Sequence, residues 1–164
     1  EAANGAIMTE ILTIGHSNHD MLGFLGILRK HGVTLLIDIR SDPHSRYAPQ
    51  FNKHDLQRAI EAEGIEYRYS GSCLGGRPKD PSLYTEAGKP DYDRLAATEA
   101  FRKEIEVVVG LSAKKRVALM CSEADPVVCH RERIIAPVLR GIGVKVVHIM
   151  PDGTAAEVAQ QGLC

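Results

Sequence analysis

The chain has 164 residues, is 44% apolar and 25% charged, and carries a formal net charge of -1. That length fits one domain around one hydrophobic core. The near-zero charge gives no general pull toward nucleic acid or an acidic membrane, so an anion site has to come from local clustering.

Residues 1–7 (EAANGAI) read as an expression scar, which leaves 8–164 as a single α/β domain starting at Met8. The run Ile11-Leu-Thr-Ile14 is short, apolar and rich in β-branched residues, and Gly15 closes it, so it reads as a buried strand. Ser17 or Asn18 is the expected cap of a helix whose Met21, Leu22, Leu25 and Leu28 recur at helical spacing, with Gly32 as its stop. Residues 33–39 (VTLLIDI) are a second buried strand, and Arg40-Ser-Asp-Pro43 a loop. A more polar helix over 53–63 ends at Gly64, and Ile65 to Tyr69 is a third strand. Residues 70–90 are rich in glycine and proline and read as a long binding loop or lid.

Residues 91–112 read as one long helix with Phe101, Ile105, Val108 and Val109 on one face, and Arg116 to Cys121 as a fourth strand. A helix from about Cys129 to Arg140 follows, kinked or delayed by Pro137. Val144 to Ile149 is the fifth strand, and the tail from Asp152 is expected to hold a short helix. Strand and helix alternate, and the strands are continuous apolar runs. The pattern predicts an α/β fold: a three-layer α/β/α sandwich with a mostly parallel, Rossmann-like five-stranded sheet.

Ligands of such sheets bind outside the carboxyl ends of the strands. Those ends carry Gly15-His16-Ser17-Asn18, Asp38-Ile-Arg40, Ser70 leading to Gly75-Gly76-Arg77, and Cys121-Ser-Glu123. With strand order 3-2-1-4-5, His16, Arg40 and Cys121 would face one crevice.

The segments GHSN at 15–18, DIRSDPHSR at 38–46, LGGRP at 74–78 and MCSEADPVVCHR at 120–131 together resemble the domain of unknown function 488 family. The resemblance covers nearly the whole chain. It implies the fold and the location of the site, and supplies no reaction.

The candidate chemical groups are His16, Asp38, Cys121, Glu123 and His130. Cys121 is a candidate nucleophile, its thiol acidified by the next helix start and by Arg131 and Arg133, with Glu123 or His130 as acid or base. Asp38 and Arg40 point to one side of their strand, either as a structural ion pair or as a fork that grips phosphate. Ser17, Asn18, Ser45, Arg46, Gly75, Gly76, Arg77, Cys129 and Arg131 complete the binding set. No GxGxxG follows the first strand and no GxxxxGK[ST] occurs, so the usual dinucleotide and triphosphate loops are absent. The arginine after Cys121 is ten residues on, too far for a Cys-x5-Arg phosphatase loop.

The expected partner is a small anionic or phosphorylated ligand, a nucleotide or a nucleic-acid end, acted on by a hydrolase or transferase. Its rival is a non-catalytic nucleotide or nucleic-acid binding module. A third reading takes Cys121 and Cys129 as a redox pair, or His16, Cys121, Cys129 and His130 as a zinc or iron set, although Cys-x7-Cys-His matches no common zinc motif. No apolar stretch approaches the roughly 20 residues that span a bilayer. No membrane partner is expected. Cys73, Cys121, Cys129 and Cys164 lack CxxC spacing, so a reducing cytoplasm is the expected setting. The sequence names no cofactor and no oligomeric state.

Overall fold

The computed structural model describes residues 9–157, so the proposed scar, Cys164 and the end of the tail lie outside the described residues. Six strands form one sheet: β1 (Glu10–Gly15), β2 (Leu35–Asp38), β3 (Glu66–Tyr69), β4 (Val117–Cys121), β5 (Lys145–Ile149) and β6 (Ala155–Ala156). The first five are parallel, and β6 pairs antiparallel with β5. The short helix expected in the tail is therefore, over its described part, an added edge strand.

The sheet order is β3-β2-β4-β1-β5-β6. This corrects the expected order, because β4 is inserted between β2 and β1. The insertion suits its sequence, since Val117-Ala-Leu-Met-Cys121 is buried at every position and only a central strand covered on both faces hides five consecutive apolar residues. By contrast β3 (Glu-Tyr-Arg-Tyr) is partly exposed throughout, as an edge strand is.

Two helix layers cover the sheet. On one face α1 (Met21–Lys30) and α2 (Lys53–Ala62) set Phe24, Leu25, Leu28, Leu56 and Ile60 against Leu12, Ile14, Leu36 and Met120. On the other, α4 (Tyr92–Ala97), α5 (Glu99–Ser112) and α6 (Ala136–Gly141) set Leu95, Phe101, Ile105, Val108 and Leu139 against Ile11, Ile37, Leu119 and Val146. Connections running toward β3 use the first face and those returning toward β5 use the second, as a single handedness of crossover requires. The chain leaves β1 toward one edge and leaves the adjacent β4 toward the other. The switch point of this sheet is therefore the gap between the carboxyl ends of β1 and β4.

Three local departures from the expected elements have identifiable causes. Asp20, not Ser17 or Asn18, caps α1, accepting the Gly23 N–H at 2.6 Å. The long helix breaks at Thr98, which sits in extended backbone while its Oγ1 accepts the Phe101 N–H and donates to the Leu95 carbonyl. The helix after β4 opens with a π turn over Arg131–Ile135, and the regular α6 begins only at Ala136. Pro137 has no N–H to give to the turn below, so the register loosens there and recovers beyond it.

The long segment after β3 is not a free lid. It holds the short α3 (Gly71–Leu74), a 3-10 turn over Pro81–Leu83 and a bridge between Tyr84 and Pro90. The Tyr84 hydroxyl anchors it on the Pro78 carbonyl.

Candidate functional site

The carboxyl edge of the sheet collects the expected segments but divides them between its two faces. In the parallel register Gly15 lies opposite Cys121 and Asp38 opposite Met120. Because side chains alternate along a strand, His16, Asp38 and Arg40 fall on the α1/α2 face and Cys121 on the α5/α6 face. His16 and Arg40 do meet, as expected. Cys121 does not share their crevice.

On the first face a buried polar network closes on itself. Arg40 donates from Nε and Nη2 to the two oxygens of Asp38 at 2.9 and 2.8 Å, and the Tyr67 hydroxyl donates to Asp38 at 2.6 Å. Asp38 is 0% and Arg40 5% exposed. The side-on fork of the arginine is thus occupied by the carboxylate, so the ion pair is a structural fact and only the outer edge of the guanidinium is left for a ligand. Its Nη1 lies 3.3 Å from His16 Nε2. His16 Nδ1 lies 2.8 Å from the Ser17 carbonyl, which only accepts, so Nδ1 carries the proton and Nε2 offers its lone pair to Arg40. The ring stacks on Phe51 at 4.5 Å between centroids.

Burial pushes the His16 pKa down to about 4, the Ser17 carbonyl opposes the shift, and the Arg40 charge adds to it. His148 is likewise lowered, mainly by burial. The consequence for stability has a definite sign. A histidine whose folded pKa lies below its unfolded value of about 6.5 favours folding fully above that pH, and the contribution is lost as pH falls toward the folded value. The shift at His16 amounts to about 3 kcal/mol. Urea unfolding from pH 7 down to pH 4 should therefore show falling stability, and His16→Gln should flatten that slope. An unchanged slope in the variant would mean that His16 is not the group being charged.

On the second face the segment Cys121 to Arg131 loops over the end of β4. Cys121 and Cys129 are both free and buried, with their sulfurs 2.8 Å apart. Cys129 Sγ also receives the Arg131 backbone N–H at 3.5 Å and lies 3.4 Å from His130 Nδ1. His130 Nε2 donates to the Ile39 carbonyl at 3.1 Å, tying this loop to the residue just before Arg40. Arg131 is 0% exposed and donates to the carbonyls of Glu123 and Ala124 and to Thr13 Oγ1. Its side chain is turned inward, so it does not hold an outside anion. Glu123 contributes its backbone carbonyl, and its side chain is exposed.

The expectation that Cys121 is the acidified thiol is reversed. Burial pushes Cys121 up, whereas the contact with the Cys121 sulfur draws Cys129 down, with His130 adding to the effect. The four residues of the proposed zinc or iron set do not converge. His16 is on the other face, and among the described residues no three His, Cys, Asp or Glu side chains form a group that would hold a metal ion.

The loops around the edge are built by close backbone approach. A Cβ on Gly75 would stand 2.2 Å from Ser41 Oγ, and one on Gly76 would stand 3.0 Å from the His130 ring. Ser41 Oγ accepts the Arg77 N–H, and Arg77 itself is exposed. Ser45 serves the turn after β2, where its Oγ accepts the Tyr47 and Ala48 N–H groups. Arg46 and Asn18 are exposed beside that turn and beside Ser17 respectively. Ser17 is the one non-glycine residue with positive φ among those described, at 48°, and its N–H reaches the Ser122 carbonyl across the switch point.

Sequence reasoning missed Tyr67, Thr13, His148 and Glu132. Thr13 Oγ1 bonds His148 Nδ1 at 2.5 Å, and His148 Nε2 donates to Glu132 at 2.6 Å, which Arg140 also holds. A polar Thr13 and His148 inside otherwise apolar strands were the available signal.

The fold and site define a three-layer α/β domain with a buried His–Arg–Asp–Tyr network on one face of its sheet edge and a dithiol on the other. A family model described as domain of unknown function DUF488 matches residues 21–138, more than half of the chain, and the chain belongs to that family. Comparison with curated proteins and with solved structures finds no match. Among the described residues no helix is long and apolar enough to cross a membrane.

Proposed function

We propose that the protein is an enzyme acting on a phosphate-bearing ligand, a nucleotide or a nucleic-acid end, at the α1/α2 side of the sheet edge. The observation that carries this reading is the neutral, doubly oriented His16, whose Nε2 lone pair is aimed at the outer edge of the buried Arg40 guanidinium. A phosphate oxygen that takes the Arg40 Nη1 hydrogen frees that lone pair beside the reacting group. The same incoming negative charge raises the imidazole pKa from its depressed value toward neutrality, where a histidine works as a general base.

Asp38 neutralises Arg40, so most of the attraction for an anion falls to the rim. Arg46 and Arg77 stand exposed on the loops that leave β2 and β3. Beside Arg46 the ring of Tyr47 is 99% exposed, a flat surface on which a base stacks, and it favours a nucleotide over bare phosphate.

The test uses mononucleotides and 5′-phosphorylated oligonucleotides against the wild type, Arg46→Ala and Arg77→Ala. Both arginines are exposed, so their replacement leaves folding unchanged. A lost charged hydrogen bond is worth roughly 1.5–3 kcal/mol, so each variant should bind about ten- to a hundred-fold more weakly. Turnover identifies an enzyme. Tight binding without turnover identifies the rival, a binding module. Equal affinity in all three proteins removes the phosphate ligand.

A further inference from the structure

Arg131 is fully buried, yet no carboxylate among the described residues lies within ion-pair range of it. Glu132, its neighbour in sequence, is already held by Arg140 and His148. Three of the Arg131 contacts are to neutral oxygens, and its Nε has no partner among the described residues. A guanidinium in that position is costly unless an anion lies near. The groups beside it that can supply a negative charge are the two thiols packed at the end of β4. The Arg131 backbone N–H reaches the Cys129 sulfur at 3.5 Å.

We propose that Cys121 and Cys129 are a working dithiol, Cys129 the reactive thiolate and Cys121 the resolving thiol, and that their substrate class is a hydroperoxide. The pair lies on the face of the sheet opposite His16 and Arg40, so this stands or falls independently of the phosphate reading.

The neighbours assign the roles. Cys129 faces one fixed donor to a thiolate, the Arg131 backbone N–H, and His130 Nδ1 donates to it only as an imidazolium, because Nε2 is committed to the Ile39 carbonyl. Cys121 faces a group that can only accept its proton, the Glu123 carbonyl at 3.6 Å. One proton therefore serves the pair and stays on Cys121. Cys129 is 4% and its neighbour Val128 54% exposed, so the loop over the end of β4 is all that separates the pair from solvent.

In the first step the Cys129 thiolate attacks one peroxide oxygen. The O–O bond breaks, the sulfur becomes a sulfenic acid, and the second oxygen leaves as hydroxide and takes up a proton. In the second, Cys121 attacks the oxidised sulfur. The S–S bond forms as the S–O bond breaks, and the departing oxygen leaves as water with the Cys121 proton. Two electrons pass from the dithiol to the peroxide, giving a disulfide and two waters from hydrogen peroxide. The sulfurs start at 2.8 Å and need to close to about 2.05 Å.

The experiment uses the full chain with Cys73→Ser and Cys164→Ser, so that only this pair reports. Hydrogen peroxide at stoichiometric amounts should convert it to an internal disulfide, seen as the loss of two hydrogens by mass spectrometry and reversed by dithiothreitol. Adding Cys121→Ser should leave a sulfenic acid on Cys129 that a cyclic 1,3-diketone traps. Adding Cys129→Ser instead should abolish trapping and slow consumption of peroxide at least about tenfold. Serine is nearly isosteric with cysteine, and circular dichroism checks that each variant folds. The proposal is overturned if the folded parent reacts no faster than free glutathione, or if Cys121 is trapped as readily as Cys129.

Discussion

Asp38→Asn should be the most damaging single change on the α1/α2 face, with a loss of roughly 3–5 kcal/mol, the cost of breaking a buried pair by removing one partner. Four donors converge on that carboxylate: the backbone N–H, Nε and Nη2 of Arg40 and the hydroxyl of Tyr67. Asparagine keeps the shape but offers one acceptor oxygen, and its amide hydrogens point at the guanidinium. Arg40 is then a buried cation without an anion. Single domains are stable by only about 5–15 kcal/mol, so this one substitution removes a large part of the total. The double replacement Asp38→Leu with Arg40→Met tests the cause. If the damage comes from the stranded charge, the double variant is more stable than Asp38→Asn, because two apolar side chains leave no charge unpaired and only the Tyr67 hydroxyl and one backbone N–H lose their acceptor. Denaturant midpoints on the three proteins give the comparison. A single variant within about 1 kcal/mol of wild type would show that water still reaches the pair.

The same pair shows how far the sequence could be read. Asp38 and Arg40 alternate with Ile37 and Ile39, and alternation alone puts both side chains on one side of the strand, which is where they are. That argument works within a strand. It fails between strands, because which residues share a face also depends on register and order. His16 and Cys121 both end central strands, and the gathering of these segments at one sheet edge was legible. Yet Gly15, not His16, stands opposite Cys121, and that offset of one residue sends the two side chains to opposite faces.

The order of the strands was hidden for a related reason. Connection lengths permit several orders, and only the complete burial of Val117 to Cys121 marks β4 as central. Thr98 followed by Glu99 was a readable cap signal inside the long helical run, outweighed there by the apolar periodicity around it. The bonds from Tyr67 to Asp38 and from Thr13 to His148 join residues 29 and 135 positions apart, and no local pattern encodes such pairs.

Gly15→Ala carries the largest expected effect at the switch point. An added Cβ would stand 1.7 Å from the Glu123 carbonyl oxygen, 2.6 Å from its carbon and 3.1 Å from Arg131 Nη2. Gly15 itself cannot retreat, since β1 is laddered to β4 on one side and to β5 on the other. The Glu123 backbone has to move instead. It is the acceptor for Arg131 Nη2 at 2.7 Å and faces the Cys121 sulfur at 3.6 Å. Overpacking costs about 1–3 kcal/mol, and a broken hydrogen bond to a charged group adds about 1.5–3 kcal/mol. The variant should therefore lose roughly 3–6 kcal/mol. Gly26→Ala and Gly110→Ala provide the contrast. Both glycines lie within helices with nothing within 4 Å of an added Cβ. Alanine there should stabilise by about 0.5–1 kcal/mol. Chemical denaturation of the three variants separates a steric demand at the switch point from the general price of replacing a glycine. If Gly15→Ala unfolds with the other two, the close approach of Glu123 to β1 is not what holds Arg131 beneath the dithiol.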